Sequence, residues 1–547
     1  MTAPSPAPSR GVPAEGSVTS GSPADPFTTT PSPPAATPSS DPEVLPLGWG
    51  PQQRDLDAAT AAVASMTTGQ KAGQVLMPFY PGLDDGAQAA TIERLHLAGS
   101  IIMGDNVPRT ADGLVDTAAM AAVTARLSGA SRSDGRDWPG LIGVDQEGGA
   151  VARLGAPLTE WPAPMAYGAA GSLPLATDAG RALAAELASI GFNVDFAPDT
   201  DVTMGPADPT IGARSMSGSP EAVARLGVGF SRGMLAAGML PAVKHFPGHG
   251  SVTVDSHLGL PVQKASVAEL QARDWKPFQD AINAGVPMVM TGHIAVPALE
   301  PGVPSSLSKA AYAALRGMGF HGVAVTDALN MAAVEQQFPG GSAAPVALAA
   351  GADLLLMPTD VEAAHAAIVS AVSAGSLPAG RLDEAARRVV TMMIWRGREA
   401  ARPHTTQPPA APGSGQSLSA QVSAAAITML SGQCTAPLVG GSVRVSGGSA
   451  QDRSRFEAAA RDAGLGLGSG PLVNLIGYGG GTVGGDVAVA LDAPWPLAAS
   501  AAPVKIALYG RSRGAFGALL AVLTGKAAAS GKLPAAVGSF PEGSGCP

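Results

Sequence analysis

The chain has 547 residues, 46% hydrophobic and 14% charged, enough to bury one large core and a smaller one. Its formal net charge of −9, without any run of Lys or Arg, argues against nucleic acid as a partner. No apolar stretch approaches the roughly 20 residues of a membrane-spanning helix, and 70 glycines and 49 prolines punctuate the chain throughout.

Residues 1–45 are nearly all Pro, Ser, Thr, Ala and Gly, with Phe27 the only aromatic residue, so a disordered tether is expected over 1–53. The opening MTAPSPAPSRGVPAEG has neither the basic start nor the apolar stretch of a signal peptide. Yet such a tether often follows the cleavage site of an exported or lipid-anchored bacterial protein. The expectation is an extracytoplasmic or envelope location, with a leader removed or a misplaced start and a lipid anchor if that leader carried one. A disordered cytoplasmic tail is the alternative.

From Leu56 onward, short β-like apolar runs alternate with helical patterns. The strand candidates are QVLMPF, GSIIMG, GLIGVD, VDFAPD, PAVKHF, VPMVMTGH, GVAVTD and DLLLMP. Between them lie amphipathic segments such as LATDAGRALAAELASIG, EAVARLGVGFSRGMLAAG, VAELQARDWKPFQDAINAG and SKAAYAALRGMG, each closed by Gly. Eight such units predict a (β/α)8 TIM-type barrel over 54–400. A doubly wound sheet, the alternative, calls for a phosphate-binding glycine turn that does not follow QVLMPF. The strands end in Asp145, Asp199, Lys244 with His245, His293, Asp327 and Asp360, which a barrel would gather at one mouth.

RPHTTQPPAAPGSG lies in a linker over 401–417, and strands alternating with helices over 418–547 predict a small α/β sandwich. Cys434 and Cys546 are the only cysteines; they are either one disulfide tying down the C-terminus or two unrelated thiols, and no zinc spacing accompanies them.

The segment KHFPGHGSVTVDSHLGLP carries the most chemistry. Asp255, two residues before His257, can orient its imidazole and raise its basicity, an acid/base pair in outline. A purely structural loop and a metal site from His245, His249 and His257 are the alternatives; no metal spacing supports the second. In GVDQEGGAVARL, Asp145 and Arg153 suit the vicinal hydroxyls of a sugar, or pair with each other. Arg214 sits in DPTIGARSMSGSP with little else to explain a cation, and Asp327 in GVAVTDALNM is a lone carboxylate that could also cap the next helix. Gly510, Ser512 and Gly514 spell a nucleophile elbow, but no histidine follows His404, so a serine triad cannot be completed in chain order.

VDQEGG, IGARSM, KHFPGHG, DSH and TDALNM, in this order, resemble the β-N-acetylglucosaminidase branch of glycoside hydrolase family 3, from about Ala58 to about Arg398. The resemblance implies a retaining exo-glycosidase acting on terminal N-acetylglucosamine of peptidoglycan fragments or related glycans. By it, Asp327 is the nucleophile and His257, supported by Asp255, the general acid/base, while Asp145, Arg153, Arg214, Lys244 and His245 bind the sugar ring. Neither step needs electrons or a Lewis acid, so no cofactor and no metal is expected. A neutral imidazole would not repel phosphate, which leaves phosphorolysis open, and its glycine-rich loop predicts that His257 moves on substrate binding. The β-glucosidases of the family, which often take the acid/base from the second domain, and a non-catalytic glycan-binding barrel are the rival readings. Asp452, Glu457, Asp462, Asp486, Asp492 and Glu542 in the second domain belong to no recognisable motif.

Overall fold

The computed structural model describes residues 45–547 apart from 134, 402–409, 436, 478–479 and 481–483. The expected tether, except for 45–53, and the middle of the expected linker lie outside the described residues.

Eight parallel strands follow one another in chain order: β1 (Leu76–Met77), β2 (Gly99–Ile102), β3 (Leu141–Val144), β4 (Val194–Asp195), β5 (Leu240–Phe246), β6 (Met288–Thr291), β7 (Val323–Thr326) and β8 (Leu355–Leu356). Ladders join β2 through β7 in that order, and β1 pairs with β8. The ring closes where Ile101 N donates to Pro78 O (3.0 Å) and Thr326 N to Leu354 O (3.0 Å). Every residue in these strands is buried, which is why they read as continuous apolar runs rather than alternating ones. Crossover helices surround them, and the last, Ala379–Ala401, reaches back to the first, Gln53–Ser65, where Arg398 grips Asp55 at 2.9 and 2.7 Å. The barrel is therefore as expected.

One expected helix is two. VAELQARDWKPFQDAINAG forms Val267–Ala272 and Lys276–Asn283, with Arg273 between them leaving helical geometry. Its guanidinium turns inward to the carbonyls of Val202 and Thr203 (3.1 Å each), and Pro277 sits in the first turn of the second piece, where a missing N–H costs nothing.

The C-terminal unit is a five-stranded sheet of β9 (Thr428–Ser431), β10 (Ser442–Gly447), β11 (Gly466–Ile476), β12 (Val487–Ala490) and β13 (Val504–Ala507), in the order β9-β13-β12-β11-β10. Only the edge strand β9, absent from the sequence expectation, runs antiparallel. Along β12 the two faces alternate: Val487 and Val489 pack with Phe456 and Phe516 of the covering helices Ala450–Asp462 and Arg513–Leu523, while Ala488 and Ala490 join the core continuous with the barrel. Ser512 is the N-cap of the second helix, accepting from Ala515 N (3.2 Å), so the apparent nucleophile elbow is a helix start.

Cys434 and Cys546 form a disulfide, with Cα atoms 5.7 Å apart and a sequence separation of 112. The tail it anchors crosses to the barrel, where Lys532 N donates to Ala169 O (3.0 Å) and Pro534 O accepts from Gly218 N (2.9 Å) and Ser217 Oγ (2.6 Å). Closing so long a loop restricts the unfolded chain, so C434S/C546S is expected to lose about 2–4 kcal/mol. Thermal melts of the double variant and of the reduced wild type should drop together; unchanged melting would mean that core packing alone holds the tail.

Candidate active site

Directly after β3, Asp145 leads into a hairpin of Gln146–Gly148 and Val151–Ala152. The Gln146 side chain locks it, accepting from the backbone N–H of Arg153 (2.9 Å) and Leu154 (3.1 Å) and donating to Leu154 O (2.8 Å). Gly148 and Gly149 turn the chain at φ +96° and +59°, where a Cβ would also strike the Pro162–Ala163 backbone. The hairpin thereby fixes Asp145, Glu147 and Arg153 around one opening.

Lys244, on β5, places its ammonium 2.9 Å from Asp145 Oδ1 and 2.7 Å from Glu147 Oε1. Glu147 is wholly buried and also receives Arg214 in a forked pair, Nε to Oε2 at 2.9 Å and Nη2 to Oε1 at 2.8 Å. Arg214 is presented by a single turn, Gly212–Arg214, whose leading N–H groups at Thr210, Ile211 and Gly212 are all taken by Asp208. Arg153 is 3.4 Å from Asp145, so Lys244 and not Arg153 is the close partner of that carboxylate.

His245 follows on β5, its Nδ1 2.7 Å from Asp201 Oδ2, which fixes the ring and leaves Nε2 3.5 Å from Arg214 Nη2. Asp201 also accepts the backbone N–H of His245 (3.2 Å) and of His249 (2.6 Å). Burial, followed by the nearby Arg214 charge, lowers His245 to about 4; burial and His245 bring His249 to about 3. Both imidazoles are therefore neutral near pH 7. A group with a depressed folded pKa contributes stability above its unfolded value, about 6.5, and loses it as pH falls toward the folded value. The destabilisation of His249→Gln relative to wild type should accordingly shrink by about 2 kcal/mol between pH 7 and 4.5 in denaturant titrations. A pH-independent difference would show that His249 is not held neutral.

Asp327 follows β7, its N–H donating to Thr291 O (3.0 Å) and its Oδ1 accepting from Ala328 N (2.8 Å). It does not cap a helix, since the next one, Ala332–Glu335, is capped at Met331. Burial would raise its pKa, but His293, His245, the Ala328 N–H and Lys244 together bring it down to about 2. Near neutrality the imidazoles are uncharged, so the Lys244 charge and the Ala328 N–H are what keep the carboxylate ionised. His293 stands beside it with Nε2 donating to Ala328 O (2.8 Å), which assigns its Nδ1 as acceptor from Ser306 Oγ (2.6 Å).

A cavity of about 300 Å³ brings together Asp145, Arg153, Arg214, Lys244, His245, His257 and Asp327. Its apolar wall includes Met290, Leu356 and Met357. His257 stands at its edge with 62% of its side chain exposed; Asp255 Oδ1 accepts its Nδ1 (2.8 Å) and its backbone N–H (2.9 Å), leaving Nε2 to exchange a proton. Asp255 is partly buried, which raises its pKa, but the bonds and charge of His257 hold it below the usual carboxylate range. All eight residues expected from sequence thus meet at one place. Asp360 does not: it is an exposed N-cap, accepting from Ala363 N (3.0 Å) ahead of the helix Val361–Ser373. Asp199 lies behind Arg214, 3.6 Å from Nη2.

Sequence reasoning assigned no role to Glu147, Asp201, Asp208 or Ser306. Among the described residues, the one cluster with metal-ligand potential is Asp199, Asp201 and His245, not the three histidines considered above. Arg214 and Lys244 already supply positive charge at that spot, which disfavours a further cation.

A model of the glycosyl hydrolase family 3 N terminal domain matches residues 67–392. The beta-hexosaminidase A of Pseudoalteromonas piscicida is 36% identical over 336 residues, 55% of each chain, so this chain spans about half of that relative. The beta-hexosaminidase LpqI of Mycobacterium tuberculosis is 35% identical over 327 residues, 57% of this chain and 79% of that one. Among solved structures, a family 3 beta-N-acetylglucosaminidase from Paenibacillus sp. str. FPU-7 superposes with a TM-score of 0.75 at 28% identity, covering 86% of this chain and 99% of the other.

Proposed function

Since the chain belongs to glycosyl hydrolase family 3, we propose that it is a retaining β-N-acetylglucosaminidase with Asp327 as nucleophile and His257, oriented by Asp255, as acid/base. One observation carries this reading: a half-buried, ionised carboxylate shares a single small cavity with the exposed His257, itself paired with Asp255, and with the cations Lys244 and Arg214. Asp327 attacks the anomeric carbon while His257 Nε2 hands its proton to the leaving oxygen. Water then attacks the glycosyl-enzyme as the same nitrogen takes its proton, and two inversions retain configuration. Lys244, Arg214, Asp145, Arg153 and His245 bind the ring hydroxyls, and their mutual ion pairs hold them in place before substrate arrives. Neither step moves electrons or requires a Lewis acid.

The cavity lies at the lower end of ligand-site sizes, which suits a single terminal sugar and exo-action. The relatives' names favour an acetamido sugar, so the substrate class is terminal β-linked N-acetylglucosamine, in muropeptides or chito-oligosaccharides. The exposure of His257 supports a swing of its loop toward bound substrate. The Cys434–Cys546 disulfide supports an extracytoplasmic location.

The test compares release from an aryl N-acetyl-β-glucosaminide and the matching aryl β-glucoside, in phosphate and in inert buffer. Selective hydrolysis of the acetamido sugar, with the same rate and product in both buffers, is expected. Preference for the plain glucoside would overturn the specificity, a sugar phosphate product would make the enzyme a phosphorylase, and no turnover of either would leave a binding barrel.

A further inference from the structure

We propose that the C-terminal tail, residues 531–546, is a strut that positions Arg214, with Ser217 as the residue that receives it and the Cys434–Cys546 disulfide as its fastening. The inference rests on the sugar-binding role proposed above for Arg214. It assigns a part in the reaction to groups outside the cavity that holds Asp327.

The loop that carries Arg214 is held from two sides. Before the arginine, Asp208 accepts the N–H groups of Thr210 (3.1 Å), Ile211 (2.9 Å) and Gly212 (3.0 Å). After it, the Ser215 hydroxyl lies 2.6 Å from Asp201 O and 2.9 Å from Ser217 O, and accepts from Ser217 N at 3.3 Å. The backbone beyond Arg214 is therefore tied to Ser217. Ser217 is buried, and its own hydroxyl donates to Pro534 O (2.6 Å), which also accepts Gly218 N (2.9 Å).

This contact is close-packed. The loop passes over the helix Met165–Ala170 at Gly168, where a Cβ would lie 1.7 Å from Met216 O and 2.9 Å from the Pro534 Cβ. Ala535 stands against Gly218, its Cβ 3.3 Å from where a Cβ of that glycine would be. Helix and tail thus enclose the loop between them, and a retreat of the tail would free one side of it.

Residues 531–546, all of them described, form no helix or strand that would fix the tail by itself. Leu533 N donates to Ser544 O (2.8 Å) and Gly543 N to Leu533 O (2.8 Å), so the chain doubles back and sets Cys546 near the base from which Pro534 projects. Lys532 Nζ donates to Cys546 O at the same place. The disulfide therefore fastens the strut at its root, and opening it releases the segment that bears on Ser217.

The measurement is KM and kcat on an aryl N-acetyl-β-glucosaminide for wild type, Ser217→Ala and C434S/C546S, each at a temperature below its own melt, and for the same changes combined with Arg214→Lys. Ser217→Ala leaves Pro534 O its bond from Gly218 N and keeps the disulfide, so it carries the test should the cysteine variant fail to fold. Each variant should raise KM about fivefold, the effect of one ordinary hydrogen bond, with kcat within about twofold of wild type, because Arg214 grips the ring before and during reaction alike. With Arg214→Lys already present, the same changes should move KM by less than about twofold, since they act through the guanidinium. An unchanged KM in either folded variant, or a rise that persists in full beside Arg214→Lys, would overturn the inference while leaving the activity standing. Absence of turnover by wild type would overturn the activity, and the inference with it.

Discussion

Asp327→Ala is expected to lower kcat on an aryl N-acetyl-β-glucosaminide by about 10,000-fold or more, roughly 5.5 kcal/mol of barrier, without unfolding the protein. The fold should survive because the side chain makes a single hydrogen bond, to the N–H of the next residue, and the strand before it is held by its own ladder to β6. The catalytic loss should be large because nothing else in the cavity can take over: Asp145 is engaged by Lys244 and Arg153, and Glu147 by Lys244 and Arg214. Azide, a small external nucleophile, should partly restore turnover of the variant and yield the α-linked azide, since the covalent step is the one removed. Loss of the N-acetylglucosaminyl group at near wild-type rate would place the nucleophile elsewhere.

Glu147→Ala is expected to cost about 3–5 kcal/mol of stability, more than the loss of any surface ion pair, together with most of the activity. The carboxylate is fully buried between Lys244 and Arg214, and its removal leaves a buried ammonium and a largely buried guanidinium with one neutralising partner fewer. Burial pushes its pKa up, but the charges of Arg214 and then Lys244 outweigh that and hold it below the usual carboxylate range. The contribution of a carboxylate with a depressed folded pKa is complete above the unfolded value, about 4.3, and is lost as pH falls. The gap in stability between wild type and Glu147→Gln should therefore be widest above pH 5 and narrow below pH 4. Chemical denaturation at pH 6.5 and 3.5 reads it directly, and a gap that widens in acid would contradict the ion-pair account.

The barrel was legible because each strand is an apolar run that a polar residue terminates, and burial on both faces leaves no alternation to confuse the pattern. The same rule misled at Asp360, which also closes an apolar run. There the chain turns at Met357, with φ of +49°, and passes Pro358 before reaching the carboxylate, which then caps a helix. Asp327 adjoins its strand directly, and its N–H is tied to Thr291 on the neighbouring strand. Glu147 and Asp201 were not legible as parts of the site, since their roles depend on partners 67 and 44 residues away in sequence. Asp492 lies two residues beyond the strand Val487–Ala490, and only the docking of the second domain brings it to a cavity that His257 also lines. The pairing of Cys434 with Cys546 is equally non-local, and the short edge strand Thr428–Ser431 carries too few residues to show a period.

The most direct test of the account is to trap the glycosyl-enzyme with a slow 5-fluoro N-acetyl-β-glucosaminyl fluoride and map the adduct by mass spectrometry. One N-acetyl-fluorohexosaminyl group on Asp327, absent from Asp327→Ala, is the predicted result. An adduct on another side chain, or turnover with inversion of the anomeric centre and no adduct, would contradict it.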